Sequence, residues 1–224
     1  MKNKKYYLFK MNMKTLNILS LLLFAFMLIL TLVLYYFKVI HNPYYSTGLI
    51  FILMIPYLVL HELLHSLAYV LHGADFKNIT YGAHLEQGVL CCLCKQNISR
   101  SNILISLMYP FIFIGVFTYI IGIIFDIPVL IALSVINISG CSGDLMMYYA
   151  FKKLKNFEYS EYDDPIAFGL YSDEDLSKKK LFALDYVGSR KELDRTITKK
   201  VTISKASIIM FIVIILIGLF YMFI

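Results

Sequence analysis

The 224 residues contain no tryptophan, few charged side chains (16%) and only four cysteines, and each scarcity excludes something. A soluble domain needs a polar exterior, yet 59% of this chain is hydrophobic and its mean hydropathy is +0.71. Without tryptophan, the anchoring role at membrane interfaces falls to the 18 tyrosines. Cys91, Cys92, Cys94 and Cys141 do not have the spacing of a secreted disulfide framework. No basic stripe interleaved with base-stacking aromatics is present, so nucleic acid is excluded as a partner despite a net charge of +6. The chain lacks internal repeats and low-complexity tracts.

What it does contain is apolar runs. Five are long enough to cross a hydrocarbon core about 30 Å thick: 15–39, 46–71, 103–125, 128–151 and 206–224. The expected fold is an all-α multi-pass membrane protein forming one domain over 1–224, with a cytosolic insertion at 152–205. The first run follows a basic start but is too long for a signal-peptide core and has no small-residue cleavage site, so it reads as a retained span. Of the 21 Lys and Arg residues, Lys38 alone, at the end of the first run, falls on the side of the connections after the first and third runs. The positive-inside rule therefore predicts a cytosolic N-terminus and an external C-terminus at the cell membrane.

Two connections are long enough to hold structure. In the first, 76–81 and 89–94 read as the strands of a β-hairpin, separated by Gly82 and Gly88. In the second, Ser172-Asp-Glu-Asp175 has the pattern of a helix N-cap with acidic first-turn residues, with Gly188 as the stop.

Within the second run lies His61-Glu62-Leu-Leu-His65. Residues four apart stack on one face of a helix, so both imidazoles can bind one Zn2+ ion while Glu62 acts as catalytic base on the metal-bound water. Five histidines and six glutamates in 224 residues would produce this motif by chance in about 0.3% of such chains. Ionisable groups inside an apolar run are costly unless they serve a site. The alternative is a polar cluster that holds helices together.

A zinc site needs a third protein ligand. Asp144 is the one acid besides Glu62 well inside a predicted span, and it falls at nearly the same depth as His65. Gly140 and Gly143 beside it would let helices approach closely. Rivals are Glu86, 21 residues after His65, and Cys141, one turn before Asp144. His72 lies about two turns beyond His65, roughly 10 Å along the helix, too far for one ion. Asn137, on the same polar stripe as Asp144, is a candidate for orienting substrate or the metal water, or for bonding a neighbouring helix. Pro56 and Pro110 could open their helices to water; a kink is the simpler reading. Cys91, Cys92 and Cys94 lack paired C-x-x-C units and read as reduced thiols in a strand.

These residues resemble the site-2 protease superfamily. More closely, the chain is similar to the bacterial "putative zincin peptidase" family, whose H-E-L-x-H pairs with a downstream S-G-D, here Ser142-Gly143-Asp144. The resemblance implies zinc bound by His61, His65 and Asp144, with Glu62 as the catalytic base near the cytosolic face. It also implies a hairpin edge to which unwound substrate adds as a strand. The N-x-x-P-x-x-x-L-D-G pattern of site-2 proteases proper is absent around Asp144.

The expected function is hydrolysis of a peptide bond in or beside a membrane span. The alternative is a non-catalytic, zinc-stabilised membrane protein that binds helices or peptides. A transporter fits less well, because inverted halves and a second charged midplane site are lacking. Expected partners are membrane lipids and a membrane protein or peptide substrate, and the sequence leaves a homo-oligomer open.

Overall fold

A computed structural model describes residues 4–41, 47–84, 89–162 and 166–189. Three helical runs are long and apolar enough to cross a membrane. They are α1 (Met13–Tyr36), α2 (Thr47–Leu71), and a run composed of α3 (Arg100–Pro110), a π-helical stretch (Phe111–Phe117) and α4 (Thr118–Ile124). In α1 and α2 only 6% and 11% of the most apolar window is buried, so most of their Leu, Ile and Phe side chains face outward, as lipid contact requires.

A fourth apolar run is divided into α5 (Pro128–Gly140) and α6 (Ser142–Lys152), bent by 45°. The sequence predicts one unbroken span here. The break falls in Ser139-Gly-Cys-Ser-Gly143, where each glycine costs about 1 kcal/mol of helix stability relative to alanine. The first four predicted spans thus have three to four counterparts. The fifth, 206–224, lies outside the described residues, as do Glu86 and positions 190–205.

The molecule is mostly helical, but it is not all-α. A five-stranded antiparallel sheet runs in the order β4-β5-β6-β1-β7. Its strands are β1 (Lys5–Met11), β4 (Ile98–Ser99), β5 (Glu158–Glu161), β6 (Ala167–Ser172) and β7 (Leu184–Gly188). In β1, Tyr7, Leu8 and Phe9 are buried between lysine-bearing ends, and Phe9 pairs with Phe168 some 160 residues away. Such non-local pairing leaves no mark in the local pattern of a basic leader.

The predicted helix start at Ser172 is a turn. β6 ends there, and the Ser172 Oγ accepts the Glu174 N–H at 3.1 Å. The capping chemistry is real, but it serves a turn instead. The predicted helix stop, Gly188, ends β7.

A second sheet pairs β2 (Ile79–His84) with β3 (Val89–Cys94), Ile79 opposite Cys94. This is the expected hairpin, its first strand starting three residues late because Phe76–Asn78 forms a 3-10 turn.

β1 precedes α1, β4 precedes α3 and β5 follows α6, so one sheet gathers three span ends on one side. The Asn12 side chain caps α1 by accepting the Thr15 N–H at 3.1 Å, fixing the strand-to-helix joint. The main core joins the sheet to the helices through Phe9, Phe168, Phe151, Ile103 and Leu107.

Candidate metal centre

Helix periodicity puts His61 and His65 on one face of α2, their ring centroids 5.0 Å apart. Asp144 enters from the first turn of α6, where a carboxylate suits the positive end of the helix dipole. Its Oδ2 lies 3.3 Å from the His61 Nε2, and its Oδ1 lies 3.5 Å from the His65 Nε2. The potential ligand atoms of the three residues all fall within 4.8 Å of one another.

The other nitrogen of each ring shows what those contacts are. The His65 Nδ1 lies 3.0 Å from the backbone carbonyl oxygen of Ser106. A carbonyl only accepts, so Nδ1 carries a proton, and Nε2 is the nitrogen available to a metal when the ring is neutral. The His61 Nδ1 lies 3.0 Å from the Asn137 Oδ1, while the Asn137 amide donates to the Pro110 carbonyl at 3.2 Å. Because that amide is committed to Pro110, the Asn137 oxygen faces His61, and His61 takes the same tautomer.

Two Nε2 atoms and a carboxylate then point at one another. Groups of this kind so close need positive charge between them, from ring protons or from a metal ion. Ligands about 2.05 Å from a zinc ion at tetrahedral angles are ~3.4 Å apart, close to the two contacts seen here. Hydrogen-bonded partners behind both histidines are the usual way such ligands are oriented. The donor set fits zinc.

Pro110 explains one of those partners. In an α-helix the Ser106 carbonyl would accept the N–H of residue 110, but proline has none. The helix tightens instead, with the Phe111 N–H bonded to the Met108 carbonyl, and enters the π-helical stretch. The Ser106 carbonyl is left for His65.

Sequence reasoning placed Asn137 near the substrate or the metal water, or against a neighbouring helix. Here both its polar ends are engaged, by His61 and by the backbone of the third run. Cys141 lies 4.0 Å from the Nδ1 of His61, the nitrogen facing away from Asp144, and is outside the ligand group. His72 bonds the Ala68 carbonyl at 2.7 Å and is also outside it. Gly143 packs against Leu16 of α1, at 3.7 Å, and a Cβ on Gly140 would meet nothing within 4 Å. Neither glycine brings α2 and α6 together as expected; Gly140 opens a cavity.

That cavity, about 300 Å³, is lined by His61, Glu62, His65 and Asp144 and by apolar residues such as Leu58 and Ile136. The hairpin forms one wall. Ser66, one turn beyond Glu62, contacts the Tyr81 hydroxyl at 2.6 Å and the Cys92 Sγ at 3.1 Å. Burial pushes the Cys92 thiol up to about 12, so it remains a neutral packing group. None of the four cysteines forms a disulfide, and among the described residues the Cys91–Cys94 strand forms no metal-ligand group.

On β3 the Lys95 N–H donates to the Asn78 carbonyl of the adjoining chain at 2.9 Å. By strand alternation the N–H groups of Cys94 and Cys92 point to the opposite edge. There the Cys92 N–H faces the Glu62 carboxylate, and the Cys94 N–H faces that of Glu161. The edge expected to receive substrate therefore carries two carboxylates.

Glu161, at the end of β5, is absent from the sequence-based candidates. Tyr159 and Glu161 share a face of the strand and both line the cavity. The Tyr159 hydroxyl donates to the Glu161 Oε2 at 3.0 Å. Burial, partly offset by these donors, pushes the Glu161 carboxyl up to about 8.

Residues 54–157 match the family model described as "Putative zincin peptidase", which points to a zinc metallopeptidase. That stretch contains the whole His61, His65, Asp144 group. No curated protein and no solved structure matches the chain.

Proposed function

We propose that this chain is a membrane-embedded zinc metallopeptidase that hydrolyses a peptide bond in or beside a membrane span. The observation that carries this reading is the pair of histidine Nε2 atoms aimed at one carboxylate, with both Nδ1 atoms tied from behind. Two rings, each oriented from behind, converge on one carboxylate, which is the arrangement a metal ion requires.

His61, His65 and Asp144 would hold the ion. Zinc bound there supplies Lewis acidity toward a water and a substrate carbonyl. Glu62 is the base, one residue from His61 and a cavity-lining group. Its carboxylate takes the proton of the attacking water and delivers it to the leaving amine. The Cys92 N–H facing Glu62 steadies the carboxylate. Asn137 and the Ser106 carbonyl keep each imidazole in the tautomer with a free Nε2. Apolar walls such as Leu58, Leu107 and Ile136 limit water and suit a hydrophobic segment.

The bias of positive residues supports a cytosolic side for the sheet and the site. Partners on this reading are lipids and a membrane protein or peptide substrate.

The test is Glu62→Gln in purified, zinc-loaded protein, with a tagged library of membrane segments as substrate. Cleavage by the wild type and its loss in Glu62→Gln, at equal zinc content, supports the reading. Cleavage surviving the substitution sinks it.

A further inference from the structure

Glu161 is a half-buried acid for which the proposed reaction has no use. It lies on a cavity wall without any lysine or arginine. Among the described residues no Lys, Arg or His forms an ion pair with it. Its donors are neutral: the Tyr159 hydroxyl at 3.0 Å and the facing N–H of Cys94. Ionising this carboxyl costs desolvation that neutral donors only partly offset, so on its own it keeps its proton at neutral pH, and a bound cation would favour the carboxylate.

Its position relative to Glu62 gives the scale. Glu62 and Glu161 face N–H groups two residues apart on the same edge of β3. Two residues of strand span about 6.8 Å. A substrate segment lying along that wall, with its scissile bond at Glu62, has a side chain one or two residues away at Glu161. Membrane segments carry their lysines and arginines on the cytosolic flank, the side to which the sheet and Glu161 are assigned above.

We propose that Glu161 is a specificity-determining residue that receives the cationic side chain of a Lys or Arg within about two residues of the scissile bond. The inference rests on the proposed peptidase function and names the substrate class: apolar segments ending in a juxtamembrane basic residue. The same carboxylate could take a free α-amino group, the other source of a peptide cation, and the test separates the two.

The test is binding, so it does not depend on turnover. Zinc-loaded Glu62→Gln protein is titrated, by fluorescence anisotropy in detergent, with a labelled N-acetylated apolar peptide carrying one lysine. Its twins replace that lysine by norleucine, or carry no lysine and a free N-terminus. A hydrogen bond to a charged group is worth enough to give the lysine peptide about tenfold tighter binding than the norleucine twin. Adding Glu161→Gln should abolish that preference and leave the norleucine peptide unchanged. Tyr159→Phe, which removes one donor, should reduce the preference by about threefold without abolishing it, and covers the case of Glu161→Gln failing to fold.

Equal binding of the lysine and norleucine peptides overturns the proposal, as does a preference that survives Glu161→Gln. A preference for the free N-terminus alone assigns the pocket to an amino terminus and overturns the side-chain proposal. The peptidase reading fails separately: wild-type enzyme would cleave none of the peptides while Glu161-dependent binding persists.

Discussion

The His65 Nδ1 and the Ser106 carbonyl oxygen are 3.0 Å apart, and the bond forms because position 110 is a proline. One missing N–H in the third span sets the tautomer of a histidine in the second.

Pro110→Ala restores a donor four residues beyond Ser106, which then competes with His65 for the carbonyl. Partners behind a metal ligand are worth roughly 10–100-fold in affinity, and the weakened bond should cost about tenfold in zinc affinity. Competition with a chromogenic chelator reads this directly. Helicity by circular dichroism should hold or rise.

Asn137→Ala removes the acceptor of His61 and leaves the ring free to flip. Zinc affinity should fall by about 10–100-fold, whereas Asn137→Asp, which keeps the acceptor for His61 but loses the donor to the Pro110 carbonyl, should lose less. The same chelator titration distinguishes the two variants. Equal loss in both would point to packing, since Asn137 is buried.

Gly140 lines the cavity, and a Cβ there meets nothing within 4 Å. Gly140→Leu should therefore fold normally, keep its zinc and fill the space that a substrate needs. Peptide cleavage should drop by about tenfold or more, with the melting temperature unchanged or raised because a helical glycine is removed.

Glu161 has an ordinary carboxyl value near 4.5 when free and about 8 in the folded protein, raised by burial and by the charge of Glu62 against the donors Tyr159 and Cys94. The folded state thus binds the proton more tightly than the unfolded chain. Its stabilising contribution is complete below about pH 4.5 and is lost as pH rises to about 8. The slope is at most about 1.4 kcal/mol per pH unit. Melting temperatures across that window should fall with pH in the wild type, and less so in Glu161→Gln.

How far these features could be read in the sequence depends on the distance over which each is encoded. His61, Glu62 and His65 are legible because one helical turn suffices to bring them together. Asp144 is legible because an acid within an apolar run is conspicuous, although the apolar run gives no sign of the 45° break before it. The glycines at 140 and 143 were visible, but their use is not: one opens the cavity and the other meets α1. Glu161 could not be found locally, because its place on the cavity wall depends on β5 pairing with β4 and β6. Residues 5–11 look like a basic leader, and only the pairings with β6 and β7 make them a strand. The Ser106 carbonyl had one sequence signal, a proline four residues downstream in an apolar run.

Zinc content per chain tests the central claim most directly, by elemental analysis of detergent-purified wild type and Asp144→Ala in parallel. The account predicts about one zinc per wild-type chain and clear loss in the variant, since three protein ligands are needed and α6 supplies the third. No zinc in either protein under metal-replete purification, or full zinc retention in Asp144→Ala, would contradict it.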